Sequence, residues 1–153
     1  MKRCTKCGKS PLIAGRLLYT IGVGKRTFES RIKGWVCVSC GENLFDGKAI
    51  EKFERDIAKW FIEQGYEYAA ELRFLRKVAG LRALDLGKLL GVSEETVSHW
   101  ETGKHSVDVA TRNAVASLVL DELRGTSTTR EQLRALRTPA KSKKVRLGRE
   151  KAA

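Results

Sequence analysis

Residues 81–104 read LRALDLGKLLGVSEETVSHWETGK, the layout of two short helices joined by a tight corner. A first helix is predicted over Ala83 to Leu90, with Leu84 and the Leu89/Leu90 pair on its inward face. Gly87 lets the second helix approach closely, and Gly91 permits the positive φ on which helices commonly end. Ser93 then caps a helix over Glu94 to Thr102. Its hydroxyl can accept an amide near Thr96, while Glu94 and Glu95 fall in the first turn, where carboxylates suit the helix dipole. Val97 and Trp100, three apart, turn inward, which leaves Thr96, Ser98 and His99 facing outward until Gly103 stops the helix.

Such a face is what a recognition helix offers to base edges in the major groove, the N-terminal half doing most of the reading. Ser93, Glu95, Thr96, Ser98 and His99 are therefore candidate DNA contacts, with Lys104, His105 and Ser106 placed beyond the helix to meet the backbone. Glu94 and Glu95 oppose this, since carboxylates repel phosphates, although a Glu can accept from cytosine N4. A structural αα-hairpin is the competing reading. The leucine and glycine spacing, the Ser cap and the Trp-Glu-x-Gly-Lys ending weigh jointly against it.

Helical periodicity continues on either side. Ile50, Phe53, Ile57, Trp60 and Phe61 form an amphipathic stripe that ends before Gly65, further helices are predicted over Tyr66 to Ala79 and Asp108 to Arg124, and no repeat is evident. The first third instead alternates around Leu17–Ile21 and Thr27–Ile32, which predicts two or three short strands punctuated by Gly22, Gly24 and Gly34. Trp35, Trp60 and Trp100 sit in apolar patterns and read as packing residues. The fold class is thus α+β: a small N-terminal β-rich domain, which the pairs Cys4/Cys7 and Cys37/Cys40 mark as a zinc-knuckle domain, followed by an all-α helix-turn-helix domain whose segment Leu81 to Lys104 resembles the phage-repressor type. The expected units are residues 1–46 for metal, 47–65 as a connecting helix, 66–124 for DNA binding and dimerisation, and 125–153 as linker and flexible basic tail.

Cys4-Thr-Lys-Cys7 and Cys37-Val-Ser-Cys40 are two C-x-x-C knuckles separated by 29 residues, with Gly8 and Gly41 directly after them. A glycine there lets the backbone turn sharply so that amides point at sulfur. Four thiolates match the tetrahedral preference of Zn²⁺ and leave no open position for catalytic water, so Cys4, Cys7, Cys37 and Cys40 are assigned to one structural zinc per chain. A redox C-x-x-C would want a thioredoxin-like βαβ context, and two disulfides would want an oxidising compartment. A unit of this size lacks a self-sufficient core, so metal binding should supply much of its folding free energy.

The 153 residues carry 30 Lys+Arg against 18 Asp+Glu, a formal charge of +12 that favours polyanionic partners such as nucleic acid. The excess sits at the ends: residues 1–50 hold ten basic and three acidic side chains, and residues 138–153 six and one. Between Leu72 and Arg124 there are eight basic and seven acidic residues, so that unit offers little counterion release by itself. Apolar runs are too short to span a bilayer and the N-terminus shows no apolar signal core, which predicts a cytoplasmic protein without membrane contact. Two histidines, no nucleophile–base constellation and no phosphate-cradling loop argue against an enzyme.

With both halves in view, residues 1–124 resemble the MqsA (YgiT-type) family of type II toxin-antitoxin antitoxins, through the knuckle separation, the stretch KRTFESRIKGWVC at 25–37 and the segment Leu81 to Lys104. The resemblance implies a dimer joined through the C-terminal domains, autorepression at a palindromic operator in double-stranded DNA, and an N-terminal domain that binds and neutralises a ribonuclease toxin. Positions holding Asn and Arg readers in that family carry Glu95 and His99 here, and Ala83 replaces the usual Gln of the first helix. Two other readings stand beside the antitoxin: a solitary or phage-derived helix-turn-helix regulator, and an RNA-binding zinc module in which the basic knuckles grip RNA.

Overall fold

A computed structural model describes residues 3–139 apart from Ser10 and Tyr68, together with Lys141 and Lys144. The expected basic tail otherwise lies outside the described residues. Strands β1 (Leu12–Val23) and β2 (Arg26–Cys37) form an antiparallel hairpin closed by the turn Gly24–Lys25, and the short β3 (Asn43–Phe45) pairs with the far end of β2. These strands are longer than the alternation predicts, because Gly34 is no breaker. It pairs with Gly15 inside the ladder, and a Cβ on it would lie 2.6 Å from the Leu44 carbonyl where β3 crosses.

The period-two pattern turns Leu17, Tyr19, Ile21 and Val23 to the same face as Phe28 and Ile32. Helix α1 (Gly47–Gln64) starts at Asp46, whose carboxylate accepts the Lys48 amide at 3.3 Å, and covers that face with Phe53, Ile57, Ala58 and Phe61. Aromatic rings lock the two layers, with Phe28 5.3 Å from Phe61 and Tyr19 6.4 Å from Phe53 between centroids. Full burial of side chains such as Phe61 and Ile57 stabilises the fold by about 1.5–3 kcal/mol each.

Helices α2 (Ala69–Val78), α3 (Ala83–Leu90), α4 (Glu94–Glu101), α5 (Val109–Arg124) and α6 (Thr128–Arg137) follow. One apolar core runs from Val23 and Ile32 of the hairpin through Phe61 to Leu72, Leu75, Leu86, Val97, Val115 and Val119. The turn of the hairpin is pinned to α2 by an ion pair between Arg26 and the fully buried Glu71, which also accepts the Glu67 amide at 2.9 Å. Helix α2 begins later than predicted because Tyr66 serves the linker instead. Its phenol donates to the Arg112 carbonyl at 2.6 Å, Arg112 donates back to the Tyr66 carbonyl at 2.8 Å, and burial pushes the phenol well above its ordinary pKa.

Two further expectations are corrected. Leu84 is 37% exposed rather than inward, since α3 meets the core through Leu86, Gly87 and Leu89. Residues 128–137, expected as linker, are helix α6, docked by Asp121 at the end of α5, which accepts the Thr129 amide at 2.6 Å and the Thr126 hydroxyl at 3.0 Å.

Candidate nucleic-acid interface and metal centre

The corner between α3 and α4 is built as its residues dictate. Gly91 closes α3 at φ 77°, and a Cβ on Gly87 would stand 2.8 Å from the Val92 carbonyl, so the chain leaving the corner packs directly on the α3 backbone. Ser93 caps α4, its hydroxyl accepting the Thr96 amide at 3.1 Å. Val97 and Trp100 are buried beneath, which fixes the rotation of α4 and leaves Ser93, Glu94, Glu95 and Ser98 exposed.

Thr96 and His99 are half-buried, not fully outward. The Thr96 hydroxyl lies 2.9 Å from that of Ser93, and His99 Nε2 lies 3.1 Å from Lys104 Nζ and 3.6 Å from a Glu95 carboxylate oxygen. His105 stacks edge-on to His99 with 4.9 Å between ring centroids. All eight residues singled out from the sequence therefore lie on α4 or just outside its two ends, and Glu95, His99, Lys104 and His105 form one polar cluster at its outer side. The loop from Gly103 to Ser106 keeps Lys104, His105 and Ser106 exposed.

What holds α4 in place was invisible in the sequence. The Arg76 guanidinium, on α2, forms a two-pronged pair with Glu101 at the end of α4, Nη2 to Oε2 at 2.9 Å, and its Nη1 donates to the Leu81 carbonyl at 2.6 Å. Hydrogen bonding to Glu101 raises the pKa of the Arg76 guanidinium and so favours its charged form. Partners 25 residues apart leave no periodic trace, so no local signal could have found them.

At the opposite end of the hairpin, roughly 36 Å away along eleven strand steps, the two knuckles repeat one backbone pattern. Cys4 N donates to the Lys9 carbonyl at 3.0 Å and Gly8 N to Cys4 O at 2.9 Å, while Cys37 N donates to the Glu42 carbonyl at 2.9 Å and Gly41 N to Cys37 O at 2.8 Å. Gly8 and Gly41 adopt φ of 70° and 71°, as the sharp turns require.

The four sulfurs of Cys4, Cys7, Cys37 and Cys40 all lie within 4.8 Å of one another. Cys4–Cys40 at 3.7 Å and Cys7–Cys37 at 3.6 Å approach the ~3.8 Å edge of a tetrahedron with metal–sulfur bonds of about 2.3 Å. Burial works to raise the Cys37 thiol, but the amides of Cys40 and Ser39 and the thiols of Cys40 and Cys7 outweigh it and bring it down to about 7. Cys40 accepts the Glu42 amide, yet burial and the thiols of Cys7, Cys37 and Cys4 push it up to about 12. Four thiols in mutual contact release their first proton readily and later ones against growing negative charge, which a cation at the centre relieves. This donor set could hold a metal ion.

A buried-core helix pair with a capped, outward helix after a glycine corner is a helix-turn-helix, the class of module that places its second helix against DNA. Residues 67–136 match the family model described as a helix-turn-helix domain, a stretch that spans α2 to α6. No curated protein matches the chain significantly. The chain thus carries the module of a DNA-binding regulator, joined to a four-cysteine cluster. Among the described residues, no helix is long and apolar enough to cross a membrane.

Proposed function

We propose that this protein is a sequence-specific DNA-binding transcriptional repressor that uses a structural zinc ion to fold its N-terminal hairpin, and that binds rather than catalyses. The observation that carries this reading is the exposed first turn of α4, capped by Ser93 and rotated by the buried Val97 and Trp100, within a segment that matches a helix-turn-helix family. Ser93, Glu95, Thr96, Ser98 and His99 read base edges, Glu95 through cytosine N4, and Lys104 and His105 meet phosphates. Two copies joined through their C-terminal helices occupy a palindromic operator and block transcription. Zn²⁺ suits the thiolate set because its tetrahedral preference matches the sulfur spacing, and it brings no redox chemistry.

The finer reading is an antitoxin that represses its own operon and neutralises a ribonuclease toxin with its N-terminal part. It is supported by the knuckles' place at the end of a long hairpin away from its turn, where β1 is an edge strand among the described residues, an arrangement suited to a partner strand. Binding of the zinc-loaded protein to the DNA upstream of its own reading frame tests the repressor, by fluorescence anisotropy against scrambled duplex. Thr96→Ala with His99→Ala should abolish the preference for the specific site while leaving weak non-specific binding; undiminished specific binding by that variant sinks the major-groove assignment. Copurification with a small ribonuclease encoded beside it distinguishes the antitoxin from a solitary regulator.

A further inference from the structure

Helix α6 runs beside α3 and encloses with it a cleft of about 450 Å³, lined by Leu81, Leu89, Lys88, Arg130, Arg134 and Arg137 among others. Its floor is apolar, since Leu81 and Leu89 are buried. Its walls are cationic. The one acid present, Asp85, is already held by Arg82 through bonds of 2.7 and 3.0 Å, which pull its carboxyl below the ordinary range. Asp85 also feels the charge of Lys88, but no carboxylate among the described residues lies within ion-pair distance of Lys88, Arg130, Arg134 or Arg137. Arg130, Arg134 and Arg137 follow i, i+4, i+7 spacing, so three guanidinium groups project from one helix face with rises of roughly 6 and 4.5 Å between them. Arg137 reaches across to the corner of the helix-turn-helix, where a Cβ on Gly91 would collide with its guanidinium.

Unpaired like charges gathered on one concave wall repel one another, and an anion relieves that repulsion most where apolar surface beneath lowers the local dielectric. Guanidinium forks are matched in geometry to phosphate and carboxylate oxygens. We infer that the cleft between α3 and α6 binds a small polyanion that carries two or more linked phosphate or carboxylate groups, any apolar body resting on Leu81 and Leu89. A free small molecule suits this site better than a duplex backbone, because a cleft of about 450 Å³ has the size of a small-ligand pocket. The bound anion bridges α6 to α3 and to the Gly91 corner. If the proposed DNA reading holds, it therefore acts as an effector of operator binding.

Pyrophosphate is the minimal probe. Isothermal titration into the full-length, zinc-loaded protein, without DNA and with ionic strength matched by chloride, should give saturable one-to-one binding. The double variant Arg130→Ala/Arg134→Ala should weaken it on the order of ten- to a hundredfold, the worth of lost charge-assisted bonds, and Arg73→Ala, away from the cleft, should leave it unchanged. Circular dichroism melting of each variant establishes that the fold persists. No saturable binding up to about 10 mM, or equal weakening by Arg73→Ala, overturns the site. So does a double variant that binds pyrophosphate like the parent, or one whose only defect is a shallower salt dependence of DNA binding, which would make these arginines backbone contacts. Because the titration contains no DNA, failure of the helix-turn-helix reading and failure of this site are read separately.

Discussion

Glu101→Ala removes the anchor of α4. In the folded chain the Arg76 and Glu101 side chains are only 10% and 8% exposed, and Arg76 spends two of its three protein bonds on Glu101 and one on the Leu81 carbonyl. Truncating Glu101 leaves a guanidinium in the interior with a single partner, a loss on the order of 3–5 kcal/mol. Against a total stability of about 5–15 kcal/mol, this is a large fraction. For a chain of this size it corresponds to a fall in Tm of about 6–20 °C. Replacing both partners, Arg76→Met with Glu101→Leu, removes the stranded charge and should recover most of the loss. Urea titration followed by circular dichroism measures both variants. Either a Glu101→Ala variant within about 1 kcal/mol of the parent, or a double variant no more stable than the single one, would refute the assignment of this pair as the fixing contact of α4.

Chelation should unfold the knuckle end and spare the helices. Ile13 and Val38 near the cysteines are 61% and 58% exposed, so little besides the metal stabilises that end, and hydrogen exchange should quicken across residues 3–9 and 36–45 while amides of α2 to α5 stay protected. Uniform protection after metal removal would contradict this. Gly87→Ala should destabilise by about 1–3 kcal/mol in denaturant, because the new Cβ meets the Val92 backbone carbonyl and outweighs the better helix propensity of alanine. Asp121 gives a pH dependence of known sign. Burial raises its pKa, but the Thr129 amide and the Thr126 and Thr129 hydroxyls hold it below the ordinary 3.8, so its contribution is present above that value and lost as pH falls through the lower folded value. Amide exchange in α6 should accelerate over that acid range, and Asp121→Asn should flatten the dependence.

Much of the site was legible because it is written in local chemistry. The limits of α3 and α4 follow from Gly91, Ser93 and Gly103, which act on bonds one to four residues away, and the metal centre follows from two knuckles whose turns are set by Gly8 and Gly41. Even α6 left a trace, a Thr128-x-x-Glu131 start with Leu133 and Leu136 three apart, hidden by the polar composition around it. The alternation of Leu17, Tyr19 and Ile21 likewise marks a strand face, though not its length.

Sequence by itself therefore determined the elements other than α6 and the full strand lengths, the cysteine quartet and the helix offered outward, since helix caps, glycine turns and thiol spacing act within a few bonds. Only the tertiary structure decided that Leu84 stays in solvent, that Gly34 continues a strand instead of ending it, that Arg76 finds Glu101, and that three arginines of α6 close a cleft over α3. Those outcomes depend on which distant surface arrives opposite a residue. Packing brings such surfaces together across 10 or more positions of chain, from Gly34 and Leu44 to Arg76 and Glu101, and no period in the sequence encodes it.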